Sequence, residues 1–421
     1  MEGYFEGGNY DLHDLILVNY RGEEFDISGI FAYIELYEDI FSTTLSAKVT
    51  IEDAIDLFQS FPIIGKEKLI FSYSTMDMEP VRVELFIYDI PNREQIKVKH
   101  QAYTLSFMSK EGLVNQHATM RRSLSGNVAD SVESIIRTEL ESEKDMYADA
   151  VSTDLTYIPP RQRPFETINT ILNRSTASTS ATHCDLILYE TVDGYNLSSL
   201  NKLVTQTPTY TYSFGRLNKV ADEPALDDEF MVIGNYQILQ ESAPAMSIAS
   251  GAYGCTMGVY DPITRSYAEA SYDAIENQDD FNYLGSDLKI PTDDAAQKAS
   301  KDAVFKYVIA GTKEETYMHR NAKFEQLFNN IKILADVAGN SDLRVGDVIA
   351  LDVPSGSTDD IGKHIKERFL VGKYLLSSLK HTFRVGAGGY RTVIELVRDS
   401  TDMPLDETEE LYSRLIPNDV V

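Results

Sequence analysis

The chain reads as a mixed fold of β with α (α+β), with two similar antiparallel β-barrel domains and a helix-containing middle domain. Three observations predict this. Strand texture runs from Phe25 to about Glu111, helical spacing takes over after Ser125, and strand texture returns from about Lys323 to Asp399 with a device already used in the first part. The 25 Tyr and 18 Phe against no Trp agree, since these aromatics suit pleated surfaces. At 421 residues the chain has room for two to four domains and should bury roughly 75% of its unfolded surface.

Residues 1–110 read as the first barrel. The runs Leu45–Ile51, Lys68–Tyr73, Val81–Tyr88 and Tyr103–Met108 alternate or are short and apolar, and one helix is expected at Asp53–Ser60. This is the pattern of a closed or nearly closed antiparallel sheet. Residues 111–205 form a helix-containing α+β domain. There Val128, Val132, Ile135, Ile136 and Leu140 recur at helical spacing behind candidate caps Ser125 and Asn127, which predicts a helix near Asp130–Glu143. Pro164 opens a second helix with Phe165, Ile168, Ile171 and Leu172 on one face. A hairpin follows at Asp185–Glu190 and Tyr195–Leu200, turning at Asp193-Gly194.

The stretch 206–322 carries an acidic loop at Ala221–Glu229, strands around Ser247–Tyr260 and an acidic patch at Asp279-Asp280. A helix opens at Thr292-Asp293-Asp294, with a Thr cap and acids facing the positive end of its dipole. This stretch is expected to pack on the helical domain. Residues 323–400 read as the second barrel, and 401–421 as an acidic C-terminal tail whose Glu409-Glu410-Leu411 and Leu415-Ile416 fit a short helix or docking segment.

The two strand-rich parts share a Gly-charged step into a strand: Ile64-Gly65-Lys66-Glu67 before Lys68, and Val345-Gly346-Asp347 before Val348. Tyr103 follows Gly65 by 38 residues and Tyr390 follows Gly346 by 44, each opening a closing strand. A duplicated barrel is the expectation. A chain with two similar barrels that assembles with threefold symmetry presents six similar units in a ring.

The net charge of -28, with 66 acids against 38 bases, argues against phosphate-directed nucleic-acid binding but suits a wall that repels DNA at short range. Cys184 and Cys255 are too few for a disulfide framework, the Met1–Tyr10 segment lacks a signal-peptide pattern, and no apolar run approaches the roughly 18 residues of a membrane span. No pair among His13, His100, His117, His183, His319, His364 and His381 has metal-ligand spacing, and His183-Cys184 reads as a structural pair. There is no GxSxG elbow. Val385–Tyr390 is Gly-rich but joins two strands, so it reads as a hairpin turn. Abundant carboxylates leave open a glycosidase pair without singling one out. Arg121-Arg122 and Lys363–Arg368 read as solvated faces. No catalytic, cofactor-binding or metal residue is assigned, and the interface residues are not identifiable at this stage.

In order and spacing, several segments resemble the central baseplate hub proteins of contractile-tailed bacteriophages, a family related to the base of type VI secretion spikes. They are Tyr37–Phe41, Phe61–Glu67, Tyr103–Ser109, Arg163–Ile168, Tyr189-Glu190 with Gly194–Leu197, Leu343–Asp347, Gly372–Leu376 leading to His381, and Tyr390–Thr392 with Arg398–Ser400. The resemblance covers about 25–205 and 325–400. Phe61 stands where Leu is more usual before the Pro, and the middle stretch falls outside the match. The resemblance implies a structural virion protein without catalysis or cofactors: a homotrimeric, pseudo-sixfold ring that joins a hexameric tail tube to a trimeric spike and leaves a channel for DNA. Implied partners are the tube or its initiator, the spike and surrounding wedge proteins, with assembly in the host cytoplasm and no membrane insertion. A hub of a non-phage contractile injection system and a carbohydrate- or cell-wall-degrading β-protein are the alternatives. In this setting His381 is expected to pack or bond within a barrel.

Overall fold

In Ser46–Asp53 the side chains alternate strictly, with Ala47, Val49 and Ile51 turned into a core and Lys48 and Glu52 turned out. Period-two burial of this kind specifies which face of a sheet is inside. The computed structural model describes residues 8–75, 78–97, 100–178, 185–214, 231–241, 244–274, 276–277, 281–288, 305–309, 314–358, 364–367, 369–386 and 389–402.

The first barrel comprises β1 (Tyr10–Val18), β2 (Glu24–Asp26), β3 (Phe31–Asp39), β4 (Ser46–Asp53), β5 (Lys68–Thr75), β6 (Val81–Lys97) and β7 (His100–Met108). Its sheet runs β1-β5-β6-β7-β4-β3 with every neighbour antiparallel. Leu17, Val49, Phe71 and Leu105 are fully enclosed. The helix expected at Asp53–Ser60 is shorter, α1 (Leu57–Ser60). The Asp53 carboxylate accepts the N–H groups of Ile55 (2.9 Å) and Leu57 (2.7 Å), and Asp56 is left-handed, so a turn occupies the first half.

Next come α2 (Lys110–His117), β8 (Leu124–Asn127), α3 (Val128–Thr138), β9 (Met146–Ala148), β10 (Asp154–Tyr157), α4 (Pro164–Leu172), β11 (Leu186–Thr191), β12 (Gly194–Ser199) and α5 (Leu200–Leu203). Asn127 caps α3, its side chain accepting the Ala129 N–H at 2.9 Å. The helix ends five residues before the expected Glu143, because Glu141 adopts a left-handed φ of 51°, yet Leu140 stays in the core. The apolar face of α4 is buried as its spacing predicts, and the β11–β12 hairpin turns at Val192-Asp193, one residue before the expected Asp193-Gly194, with Gly194 opening β12.

The remaining elements are β13 (Tyr210–Phe214), β14 (Val232–Gln240), α6 (Pro244–Ser250), β15 (Gly254–Asp261), β16 (Ser266–Asp273), β17 (Asp287–Leu288), β18 (Phe305–Ile309), α7 (Glu314–Phe328), β19 (Ile331–Ala338), β20 (Val348–Asp352), β21 (Pro354–Thr358), β22 (His364–Lys366), β23 (Gly372–Arg384), β24 (Tyr390–Arg398) and β25 (Ser400–Thr401). Six of these strands close a ring, β23-β20-β13-β14-β19-β24, with β24 returning to β23.

Three expectations need correction. The second barrel takes β13 and β14 from the stretch 206–322, and β13 pairs parallel with both neighbours, so this barrel is not wholly antiparallel. Residues 323–328 are helical, with strand beginning at Ile331; the buried face of α7 includes Lys323 and Gln326, which hid its amphipathic pattern. Ser247–Ser250 belongs to α6 rather than to a strand. The acidic loop Ala221–Glu229, Asp279-Asp280, Thr292–Asp294 and the tail beyond Asp402 lie outside the described residues.

The duplicated glycine step is real in its backbone: Gly65 and Gly346 both have φ of 92°. Their surroundings differ. A Cβ on Gly65 meets nothing within 4 Å, whereas one on Gly346 meets the Tyr189 hydroxyl at 2.4 Å. Gly65→Ala should therefore cost only the left-handed backbone strain, about 1–2 kcal/mol, and Gly346→Ala about 3 kcal/mol or more once the clash is added. Urea denaturation of the two variants checks the order, and equal losses would show that Tyr189 yields freely.

Candidate functional site

Among the described residues no ladder joins β1 to β3, so the first barrel has an open seam. The hairpin β23–β24 fills it from the second barrel. β23 pairs with β3 from Ser378–Asp39 to Arg384–Tyr33, which merges both barrels into one 13-stranded sheet. On the other side the Tyr390 N–H donates to the Gly8 carbonyl at 3.0 Å and the Tyr10 hydroxyl to the Arg384 carbonyl at 3.0 Å. Phe383 and Tyr390 enter the first barrel's core, stacked at 4.4 Å, with Phe71 and Tyr73 against Phe383 at 5.0 and 4.5 Å. The Gly-rich turn expected at Val385–Tyr390 is the tip of this hairpin, and its Ala387 and Gly388 lie outside the described residues. His381 is enclosed beside it, with Nδ1 2.9 Å from the Tyr390 hydroxyl. Burial, aided by Arg344, pushes its pKa down to about 3, so it is a neutral packing group, as expected of a strand histidine.

The loop before β20 joins three parts of the chain. Ser341 and Thr75 bond reciprocally, Ser341 N–H to Thr75 Oγ1 at 2.8 Å and Thr75 N–H to Ser341 Oγ at 3.0 Å. Arg344 grips Asp193 of the β11–β12 turn through two nitrogens, at 2.5 and 3.1 Å, and donates to the carbonyls of Ser341 and Leu343. Glu38 of β3 is buried and accepts N–H groups from Val192 (3.3 Å) and Val345 (3.4 Å). First barrel, second barrel and α+β part thus meet at Glu38, Arg344 and Asp193. Burial raises Glu38 from its ordinary 4.5 to about 7 against the pull of Arg344, and raises Asp347 to about 6.

A second polar cluster ties α2 to β11. Lys144 contacts Glu111 at 2.7 Å and also Glu190, whose other oxygen accepts the Leu45 N–H at 2.9 Å. Burial pushes Glu190 above the usual carboxylate range despite Lys144; at Glu111 burial is outweighed by Lys144 and Ser142, and the carboxyl falls below it. A third cluster holds α7 on β24: Lys323, fully enclosed, reaches Asp399 at 2.7 Å and the Asn282 carbonyl at 2.6 Å.

These groups are locks rather than reagents. The buried carboxylates are engaged by cations or backbone N–H groups, and among the described residues no group of His, Cys, Asp and Glu could hold a metal. Arg122 is tied to Glu139 at 2.9 Å and to Ser134. Cys255 is buried on β15, while His183 and Cys184 lie outside the described residues. The cleft beside Arg344, Asp193 and Tyr189 measures only about 300 Å³. Tyr37–Phe41 and Leu343–Asp347 stand out in the sequence, but Glu38 lies among Glu35 and Asp39 and Arg344 among Asp342 and Asp347, so no local signal marks these two side chains for the junction.

The raised Glu38 carboxyl makes a signed prediction. Its contribution to stability is full below about pH 4.5 and is lost as pH rises through 7, by about 3 kcal/mol in all. In urea denaturation at pH 4 and 8, Glu38→Gln should flatten the pH dependence by that amount relative to wild type. An unchanged slope would assign the titration elsewhere.

No family model matches the chain, and no curated protein matches it in sequence. Solved structures do share its fold. A tail protein from Neisseria meningitidis MC58 is 12% identical and superposes with a TM-score of 0.55, covering 92% of this chain and 97% of that one. The 43 kDa tail protein of prophage MuSo2 from Shewanella oneidensis is 9% identical at a TM-score of 0.56, covering 92% and 99%. A type VI secretion component of E. coli is a weaker likeness, 8% identical at 0.43. The chain therefore shares the fold of these two tail proteins over 92% of its length.

Proposed function

We propose that the protein is a structural component of a contractile-tail baseplate: a central hub that assembles as a homotrimer and acts through its interfaces, without catalysis. One observation carries this reading. Two barrels with matching strand order are fused edge to edge through β3 and β23, so each chain supplies two similar units side by side. Three chains around an axis then present six units, the symmetry that matches a hexameric tube to a trimeric spike. The fold likeness to two tail proteins over 92% of the chain supports the setting. The buried ion clusters favour a rigid frame, since burial of paired charge fixes geometry more than it adds stability. With a net charge of -28, a ring of such chains would carry an acidic surface that lets DNA pass without binding it.

Native mass spectrometry and averaged electron images of the purified full chain test the reading. A trimer of mass three times 47.3 kDa, with six lobes around its axis, is the expected result. A strict monomer at high concentration that forms no ring when the tube protein is added would overturn it.

A further inference from the structure

The two barrels correspond in strand order, although β13 runs in the opposite direction to its counterpart β1. The first runs β1-β5-β6-β7-β4-β3 and the second β13-β20-β23-β24-β19-β14, and aligning Gly65 with Gly346 sets β5 against β20, β6 against β23, β7 against β24 and β3 against β14. Within the chain, β23 of the hairpin β23–β24 pairs with β3 over seven residues and fills the first barrel's seam. Its equivalents are the hairpin β6–β7 and the strand β14. Within one chain those two do not pair.

Among the described residues both have free edges. β6 pairs with β5 only up to Phe86 and then continues to Lys97 against β7 alone. Pro91 sits at a register shift and a further one falls between Gln95 and Lys97, so the regular edge runs from Asn92 to Gln95 with Ile96 at the irregularity beyond it. β14 meets β13 only at Val232 and Ile233, and from Asn235 to Gln240 it pairs with β19 alone. Among the described residues the second barrel's β13–β14 seam is therefore held by two residue pairs, where the first barrel's β1–β3 seam has none. Exposed apolar side chains mark both elements: Tyr88 (47%) and Ile96 (56%) on β6, Ile238 (37%) and Leu239 (46%) on β14. Unpaired strand edges with apolar neighbours are templates for another chain.

We propose that β6 of one copy pairs along β14 of the next copy, so that the partner's β6–β7 hairpin completes the second barrel's seam as β23–β24 completes the first within each chain. A second copy is the occupant because the contact continues the existing β3–β23 junction by the chain's own internal repeat. The contact is head-to-tail, and it closes when the rotation does. The proposal rests on the homotrimeric reading above and says which strands make the trimer.

The test uses the full chain with Ile96→Cys combined with Ile238→Cys or Leu239→Cys, treated with a short bismaleimide. Adjacent strand positions face opposite sides, so one combination should link copies into covalent dimers and trimers while each single variant does not. Separately, Ile238→Glu with Leu239→Glu, both at exposed positions, should raise the concentration for half-assembly about a hundredfold with an unchanged far-UV spectrum. A wild-type trimer with no such cross-link and no shift would overturn this interface while leaving the ring reading intact. A wild type that never assembles would overturn both.

Discussion

The hairpin from Gly372 to Arg398 is what the rest of the architecture depends on, because it belongs to two cores at once. Its base closes the second barrel through β20 and β19, and its tip supplies Phe383 and Tyr390 to the first. A six-stranded sheet with an open seam would leave Phe71 and Tyr73 against water; with the tip in place they pack on Phe383 at 5.0 and 4.5 Å. Removing a buried aromatic of this kind costs about 3–5 kcal/mol. Here the loss falls on a barrel encoded more than 250 residues earlier in the chain. The contact is thus of high sequence separation, and neither barrel's residues describe it alone.

The polar clusters follow from the same fusion. Once β3 lies against β23, Glu38 is carried into the junction, where burial disfavours its charge, and the loop before β20 supplies Arg344 and the Val345 N–H to meet it. Asp193, at the tip of the β11–β12 hairpin, brings the α+β part to the same guanidinium. Gly346 is needed there twice, for its positive φ and for the space that the Tyr189 hydroxyl takes. Deleting Arg344 would break its two-nitrogen tie to Asp193 and remove the nearby positive charge that opposes the burial of Glu38.

Much of the fold was legible because burial follows period. The strands of the first barrel, the Asn127 cap, the Pro164 helix and the β11–β12 hairpin, to within one residue of its turn, all came from alternation, helical spacing or turn chemistry. The helix α7 was not, since its buried face carries Lys323 and Gln326, satisfied by Asp399 and the Ala252 carbonyl that only the folded chain brings near. Nor was the membership of β13 and β14 in the second barrel, because β13 pairs in parallel and parallel neighbours leave no local turn signal. The step Val345-Gly346-Asp347, in the stretch Asn340–Ser355, was readable as a strand entry. That the stretch's Ser341 and Arg344 join three parts of the molecule depends on Thr75, Glu38 and Asp193, each more than 140 residues away.

The central physical claim is that β23–β24 couples the two barrels into one cooperative unit. Native-state hydrogen exchange on wild type and Phe383→Ala tests it most directly. Protection of the amides of β1 and β3 should fall together with that of β23 in the variant, by about 3 kcal/mol or more, while wild type opens both barrels in a single step. Loss of protection confined to the hairpin tip, with β1 and β3 unchanged, would contradict the account.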